Sequence, residues 1–135
     1  MSKARSILPW LVPPALAIIA FAPVLGMWFV ADDFGHLLYN ERLPFPQPLL
    51  AFGGDALFYR PLSTALTWNL GITLFGTNAL PYHTISLLVH ALSAFLLSRL
   101  GYVVSGSVPT GLLAGSLFAV YPLTTEPVAW LAAQW

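Results

Sequence analysis

Acidic residues at the ends of long apolar runs are the parts of this sequence best suited to chemistry. Asp32 and Asp33 directly follow the first run, and Glu126 follows a later one. Ionisable groups at a membrane boundary are costly unless they are paired, hydrated or bound to a metal, so acids that converge predict a functional site. The alternative is that they are hydrated residues marking the edge of the membrane.

Adjacent carboxylates can also divide two tasks between them. One of Asp32 and Asp33 can accept a proton or coordinate a hard divalent cation, while its neighbour orients the backbone or caps the next helix. Glu126 lies in a stiff turn between Pro122 and Pro127. Taken alone, Glu126 is better explained as a solvated loop residue.

Basic and imidazole side chains supply the candidate binding residues. Arg60 precedes Pro61 where the loop meets the membrane, and its planar guanidinium suits a phosphate, either of a substrate or of an ordinary lipid. His83 and His90 are seven residues apart and share a helix face, whereas a metal pair favours a spacing of three or four. We expect His83 to contact substrate and His90 to be a hydrogen-bonded packing residue.

The composition indicates an integral membrane protein. Of the 135 residues, 58% are hydrophobic and 7% are charged, and the formal net charge is zero. Soluble domains carry about 25% charged residues. The five basic residues are dispersed, so no nucleic-acid partner is predicted. Cysteine is absent, which excludes disulfides and thiolate chemistry.

The elements that must position these residues are apolar helices. We predict an all-α membrane protein with about three transmembrane helices and a short interfacial helix, Pro61 to Phe75, in the first outer loop. Residues 1–135 form a single partial domain, and we expect a longer protein to continue beyond them. The segments are a span at 8–31, an outer loop at 32–81, spans at 82–99 and 109–122, a turn from Gly101 to Pro109, and an outer segment at 123–135.

Two alternatives to this topology stay open. The first run follows Lys3 and Arg5 and could be a cleaved signal peptide, but it is longer than the usual apolar core and lacks the expected cleavage site. Residues 61–75 could also cross the membrane, which would place Glu126 on the face opposite Asp32. Basic residues favour a cytoplasmic amino terminus, although Arg42 and Arg60 oppose this. The compact loops suggest a bacterial inner membrane.

Several motifs, taken in order, resemble one glycosyltransferase family. They are Asp32-Asp33, Tyr59-Arg60-Pro61-Leu62, Tyr82-His83 followed by His90, and the stretch from Leu117 to Pro122 that leads to Glu126-Pro127-Val128-Ala129-Trp130. In order and spacing this set is similar to the amino-terminal part of the type-C glycosyltransferases, which include protein O-mannosyltransferases and the transmembrane and TPR-repeat mannosyltransferases.

The resemblance implies transfer of a sugar from a polyprenyl-phosphate donor to a protein, lipid or glycan acceptor on the exoplasmic face. It implies that Asp32 or Asp33 is the base or a metal-supporting carboxylate, that Glu126 assists, and that Arg60 steadies the donor phosphate. Asp33 and Glu126 would be the ligands of any Mg²⁺ or Mn²⁺ ion. The resemblance also implies further spans that this fragment lacks, without which it could be inactive.

The chain departs from the family pattern at Tyr121, where His is frequent, and at Ser86, where Asn is frequent; either change could alter donor choice or metal use. Two other classes of function remain open. Broken helices and histidines within a span also occur in transporter-like binding modules, although such proteins usually carry ionisable groups at mid-membrane. A small non-catalytic membrane subunit would need the acids only as topology markers.

Overall fold

The computed structural model describes residues 7–41 and 67–133, with the backbone alone at 39–41. Its α-helices are α1 (Val12–Phe21), α2 (Asp33–Glu41), α3 (Gly71–Phe75), α4 (Ala79–Ser105), α5 (Val108–Ala119) and α6 (Thr125–Ala129). Short 3₁₀ turns occupy Leu8–Leu11, Ala22–Gly26, Pro122–Thr124 and Leu131–Ala133. No strand occurs in these two ranges. Arg60 and residues 61–66 of the predicted interfacial helix lie outside them.

Two helical segments are long and apolar enough to cross a membrane. They are Leu8–Gly26, with a mean hydropathy of 2.0, and Ala79–Ser105, with 1.7. A third span is formed if the pair Val108–Ala119 and Pro122–Ala129, bent by 52°, is counted as one crossing. The prediction of an all-helical membrane protein with about three spans is confirmed.

Local sequence accounts for the ends of the long helix α4. Gly76 adopts a φ of 57° before the helix, and the Asn78 side chain accepts a hydrogen bond from the amide of Leu80 as the amino-terminal cap. Gly106, with a φ of 69°, ends the helix in the left-handed conformation that glycine tolerates. The predicted turn from Gly101 to Pro109 is wrong in extent, because α4 continues through Ser105 and α5 begins at Val108.

Small residues allow α4 to pack closely on α5. A Cβ built on Gly101 would lie 3.2 Å from the Cα of Gly111, so here the two backbones almost touch. Gly111 and Gly115 are buried against α4, beside Ser98, which is fully buried. Such close contact between helices is the usual basis of association in membranes.

We predict that Gly115→Ala destabilises the bundle by about 1–3 kcal/mol through overpacking. The added Cβ would lie 2.5 Å from the Ser98 Cβ and 2.7 Å from the Ala94 carbonyl oxygen. Gly26→Ala is the matched control, since its Cβ would meet no atom of the described residues within 4 Å. Thermal unfolding in detergent measures both variants, and equal melting temperatures would contradict the close packing.

Candidate functional site

Three parts of the chain meet at one end of the bundle. The segment after the first span, the start of α4 and the 3₁₀ turn Leu131–Ala133 come together at Asp33, and we call this the Asp33 end. The amide of Ala132 donates a hydrogen bond of 2.7 Å to the Asp33 Oδ1, across 99 residues of sequence. The segment that contains Glu126 therefore ends beside Asp33. This arrangement is expected if the chain crosses the membrane an odd number of times between the amino terminus and Asp33, and again an odd number of times between the amino terminus and Glu126.

The Asp33 carboxylate is fully buried and held by backbone amides from two directions. Its Oδ2 accepts a hydrogen bond of 2.9 Å from the amide of Val30, while its Oδ1 accepts the bond from Ala132. Ala31, with a φ of 49°, makes the tight turn that brings Val30 into reach. Hydrogen bonds from amides to a carboxylate are charge-assisted and strong, so Asp33 links the two segments.

Two further hydrogen bonds connect α4 to the chain between the end of α5 and the Asp33 end. The His90 Nε2 lies 3.1 Å from the carbonyl oxygen of Ala119, at the end of α5. Closer to the Asp33 end, the Ser86 hydroxyl donates a bond of 2.9 Å to the carbonyl of Val128. The prediction that His90 is a hydrogen-bonded packing residue is confirmed. Ser86, one of the departures from the family pattern, connects α4 to the end of α6 through its hydrogen bond to Val128.

Aromatic rings form the core beneath Asp33. Phe29, Trp68 and Tyr82 are buried and pack with Leu131. The Trp68 ring also stacks on the imidazole of His36, with the ring centroids 5.2 Å apart. These contacts join the segment after the first span to the residues before α3, so the core fixes the position of the turn that carries Asp32 and Asp33.

His83 is a fully buried imidazole in the first turns of α4. It lies near enough to the backbone of Trp28 and to Asp33 to interact with them electrostatically. Within the described segments, however, neither ring nitrogen makes a hydrogen bond of acceptable geometry. A substrate cannot reach a side chain with no exposed surface unless the surrounding segments move.

We predict that His83→Phe leaves the stability unchanged or raises it by up to about 1 kcal/mol. An unpartnered buried polar group costs about 1–3 kcal/mol, which an apolar ring of similar size would avoid. Denaturation in detergent measures this effect. A large loss of stability would instead show that the imidazole has a partner that stabilises the fold.

The other predicted site residues are placed differently. Asp32 is exposed at the start of α2, where its carbonyl oxygen accepts a hydrogen bond of 3.1 Å from the amide of His36. Glu126 is exposed in the first turn of α6. Arg60 lies outside the described residues. The structure thus brings the chain around Asp33 and His83 together and leaves the Asp32 and Glu126 side chains accessible.

The sequence predicts Asp33 and Glu126 as the ligands of a metal ion. Among the residues that the structure describes, no three His, Cys, Asp or Glu side chains are grouped so as to hold a metal ion. Mg²⁺ and similar hard ions need about six oxygen ligands, and each Asp33 oxygen already accepts an amide hydrogen bond. The described residues do not by themselves assemble a metal site, and metal binding stays a prediction.

Sequence reasoning missed two contributors to this end of the bundle. The backbone amide of Ala132 carries no signal in the sequence, because any residue except proline offers the same donor. The second contributor is Trp68, which packs in the aromatic core with only 1% of its surface exposed. No pattern in the sequence marks Trp68 as a core residue.

Comparison with known proteins gives a consistent set of relatives. The mouse protein named Protein O-mannosyl-transferase TMTC2 is 30% identical over 139 residues, covering 92% of this chain and 16% of the relative. Protein O-mannosyl-transferase Tmtc1 of Drosophila melanogaster is 30% identical over 89% of this chain and 15% of the relative. Protein O-mannosyl-transferase F38B6.6 of Caenorhabditis elegans is 31% identical over 85% and 19%.

No family model and no solved structure matches the chain. The chain spans about a sixth of the length of the first of these relatives. The relatives are eukaryotic, so they lend no support to a bacterial inner membrane. Over nearly its whole length, the chain is homologous to a segment of the protein O-mannosyl-transferases and is O-mannosyl-transferase-like in sequence.

Proposed function

We propose that this chain forms part of the catalytic face of a membrane glycosyltransferase that moves mannose from a polyprenyl-phosphate donor to a hydroxyl group of a protein acceptor. One observation carries the proposal: two amides 102 residues apart in sequence, those of Val30 and Ala132, hold a buried aspartate beside an exposed one. The names of the relatives support mannose as the sugar and protein as the acceptor.

The two aspartates then have different roles. Asp33 positions the turn, because both of its oxygens accept backbone hydrogen bonds. Asp32, whose side chain is exposed at the same turn, is the base that removes the proton from the acceptor hydroxyl. The hydroxyl oxygen forms a bond to the anomeric carbon, and the bond from that carbon to the lipid-phosphate oxygen breaks.

The remaining predicted residues assist at the same face. Arg60 would balance the negative charge that grows on the departing lipid phosphate, since a guanidinium offers paired donors to phosphate oxygens. Glu126 would contact the acceptor or the sugar from the exposed first turn of α6. His83 would support the site from within the bundle, and would reach substrate only if the segments around it opened.

The proposed membrane orientation follows from the same arrangement. A lipid-linked donor on the exoplasmic side requires the Asp33 end to face outward, which leaves the amino terminus in the cytoplasm. Lys3, Arg5 and Arg99 support this orientation, because basic residues are retained on the cytoplasmic side. The bacterial inner membrane stays a prediction from the short loops alone.

A transfer assay tests the proposal. Membranes containing the protein, expressed from its own gene, are given radiolabelled polyprenyl-phosphate mannose and a peptide rich in serine and threonine. We expect label in the peptide, and none when a nucleotide-linked mannose replaces the lipid donor in washed membranes. Transfer from the nucleotide sugar alone would refute the lipid donor, and label found only in lipid or glycan would refute the protein acceptor.

A further inference from the structure

A cavity lies at the opposite end of the bundle from Asp33. It has a volume of about 690 Å³ and lies between the 3₁₀ turn Leu8–Leu11, the last turns of α4 and the start of α5. Its wall includes Trp10, Phe95, Arg99, Tyr102 and Val108. We call it the Arg99 cavity. Of the residues assigned to the transfer site, none that the structure describes lines it.

The charged group of the cavity is held in place by aromatic rings. The Arg99 guanidinium carbon lies 4.5 Å from the centre of the Trp10 ring and 5.8 Å from that of Tyr102. The two rings also contact each other, with their centroids 5.4 Å apart. Only 5% of the Trp10 surface is exposed, so packing holds its ring in place, and the Arg99 guanidinium makes a cation–π contact with that ring.

Among the residues that the structure describes, no acid lines the Arg99 cavity. The acidic residues whose side chains are described, Asp32, Asp33 and Glu126, belong to the segments that meet at the Asp33 end. Cation–π contacts leave the hydrogen-bond donors at the edge of the guanidinium plane available. An exposed arginine of this kind is suited to paired hydrogen bonds with a phosphate group.

The depth and the surroundings of the cavity point to a lipid. Arg99 is 16 residues beyond His83 on α4, or about 24 Å along the helix, which separates the two by most of a hydrocarbon core of about 30 Å. On the side of Arg99 that faces the membrane centre, the side chains of Leu88, Leu92 and Leu96 are 56%, 55% and 56% exposed. A ligand with a phosphate and acyl chains would contact both the cation and this apolar surface.

We propose that the Arg99 cavity binds the headgroup of an anionic phospholipid in the leaflet opposite the transfer site. The phosphate lies against the Arg99 guanidinium, the headgroup occupies the cavity, and one acyl chain follows the exposed apolar face of α4. This site does not depend on the proposed transfer reaction, because it uses different residues at the other end of the bundle.

Native mass spectrometry tests the proposal. The protein, expressed from its own gene and purified in detergent, is mixed with equal amounts of phosphatidylglycerol and phosphatidylcholine that carry the same acyl chains. We expect preferential retention of one phosphatidylglycerol, and a loss of about tenfold in that retention for Arg99→Gln. Arg99→Lys keeps the charge but loses the planar fork, so it retains an intermediate amount.

Two more variants distinguish lipid binding in the Arg99 cavity from a general attraction of anionic lipid to positive charge on the protein. Val108→Trp keeps Arg99 but fills the cavity, and we expect it to lower retention as well. Arg42→Gln removes one positive charge from a residue outside the described segments, and we expect retention equal to that of the wild type. Circular dichroism confirms that each variant keeps its helical content.

Several results would overturn the site. Equal retention of the two lipids by the wild-type protein would do so without any variant. Unchanged retention in both Arg99→Gln and Val108→Trp, or an equal loss in Arg42→Gln, would show that the cavity is not responsible. Displacement of the lipid by millimolar inorganic phosphate would show a site for a free anion in place of a lipid.

Discussion

Asp32→Asn is expected to reduce mannosyl transfer by about 10²–10⁴-fold while leaving the fold intact. The substitution keeps the size of the side chain but removes its ability to accept a proton, and general bases contribute this range of rate enhancement. Because the Asp32 side chain is exposed, its loss changes the free energy of unfolding by less than about 1 kcal/mol. The assay is transfer from polyprenyl-phosphate mannose in membranes containing equal amounts of each protein.

Gly35→Ala, three residues further along the chain than Asp32, is the matched control, since a Cβ at this position would meet nothing within 4 Å in the described part of the chain. We expect it to retain the wild-type rate. If Asp32→Asn also retained that rate, the base would have to be another residue. If it lost both activity and thermal stability, Asp32 would be acting on the fold and not on the proton.

Asp33→Ala is expected to lower the free energy of unfolding by about 2–5 kcal/mol. The change removes the acceptor of two amide hydrogen bonds at a site with no exposed surface, and each unsatisfied amide costs about 1–3 kcal/mol. We also expect a local loss of protection around Ala132, in addition to the lower global stability. Hydrogen exchange at the amide of Ala132 should become faster, because this amide loses its only acceptor in the described part of the chain.

Asp33→Asn provides the graded comparison. Its amide group keeps one acceptor oxygen but places an NH₂ group against one of the two backbone donors, so it should lose less stability than Asp33→Ala. Chemical denaturation in detergent measures both. Equal and small effects of the two variants would mean that the carboxylate does not link Val30 to Ala132.

The distribution of charge and of apolar runs was enough to predict the helical class and the long helices. A run without charge from residue 6 to 31 is longer than a membrane crossing requires, and most of α4 lies in the stretch without charge from Pro61 to Ser98. The ends of the helices were less predictable. Gly101 is typical of a turn by composition, yet its missing side chain serves a close contact between helices.

The candidate site was predictable in its residue types but not in their roles. The adjacent acids pointed to a division of tasks between Asp32 and Asp33, and the sequence could not say which residue had which task. That choice depends on a tertiary hydrogen bond from Ala132, which no local pattern encodes. The burial of His83 has the same origin, since the aromatic core that covers this end comes from several distant segments.

The placement of Asp33 and Glu126 on one membrane face is the central claim, and labelling of single cysteines tests it most directly. The chain has no native cysteine, so Gly35→Cys, Glu126→Cys and Ser105→Cys each introduce one thiol. With an impermeant maleimide on sealed vesicles, we predict that positions 35 and 126 react from the same side and that position 105 reacts only from the other. Labelling of positions 35 and 126 from opposite sides would contradict the account.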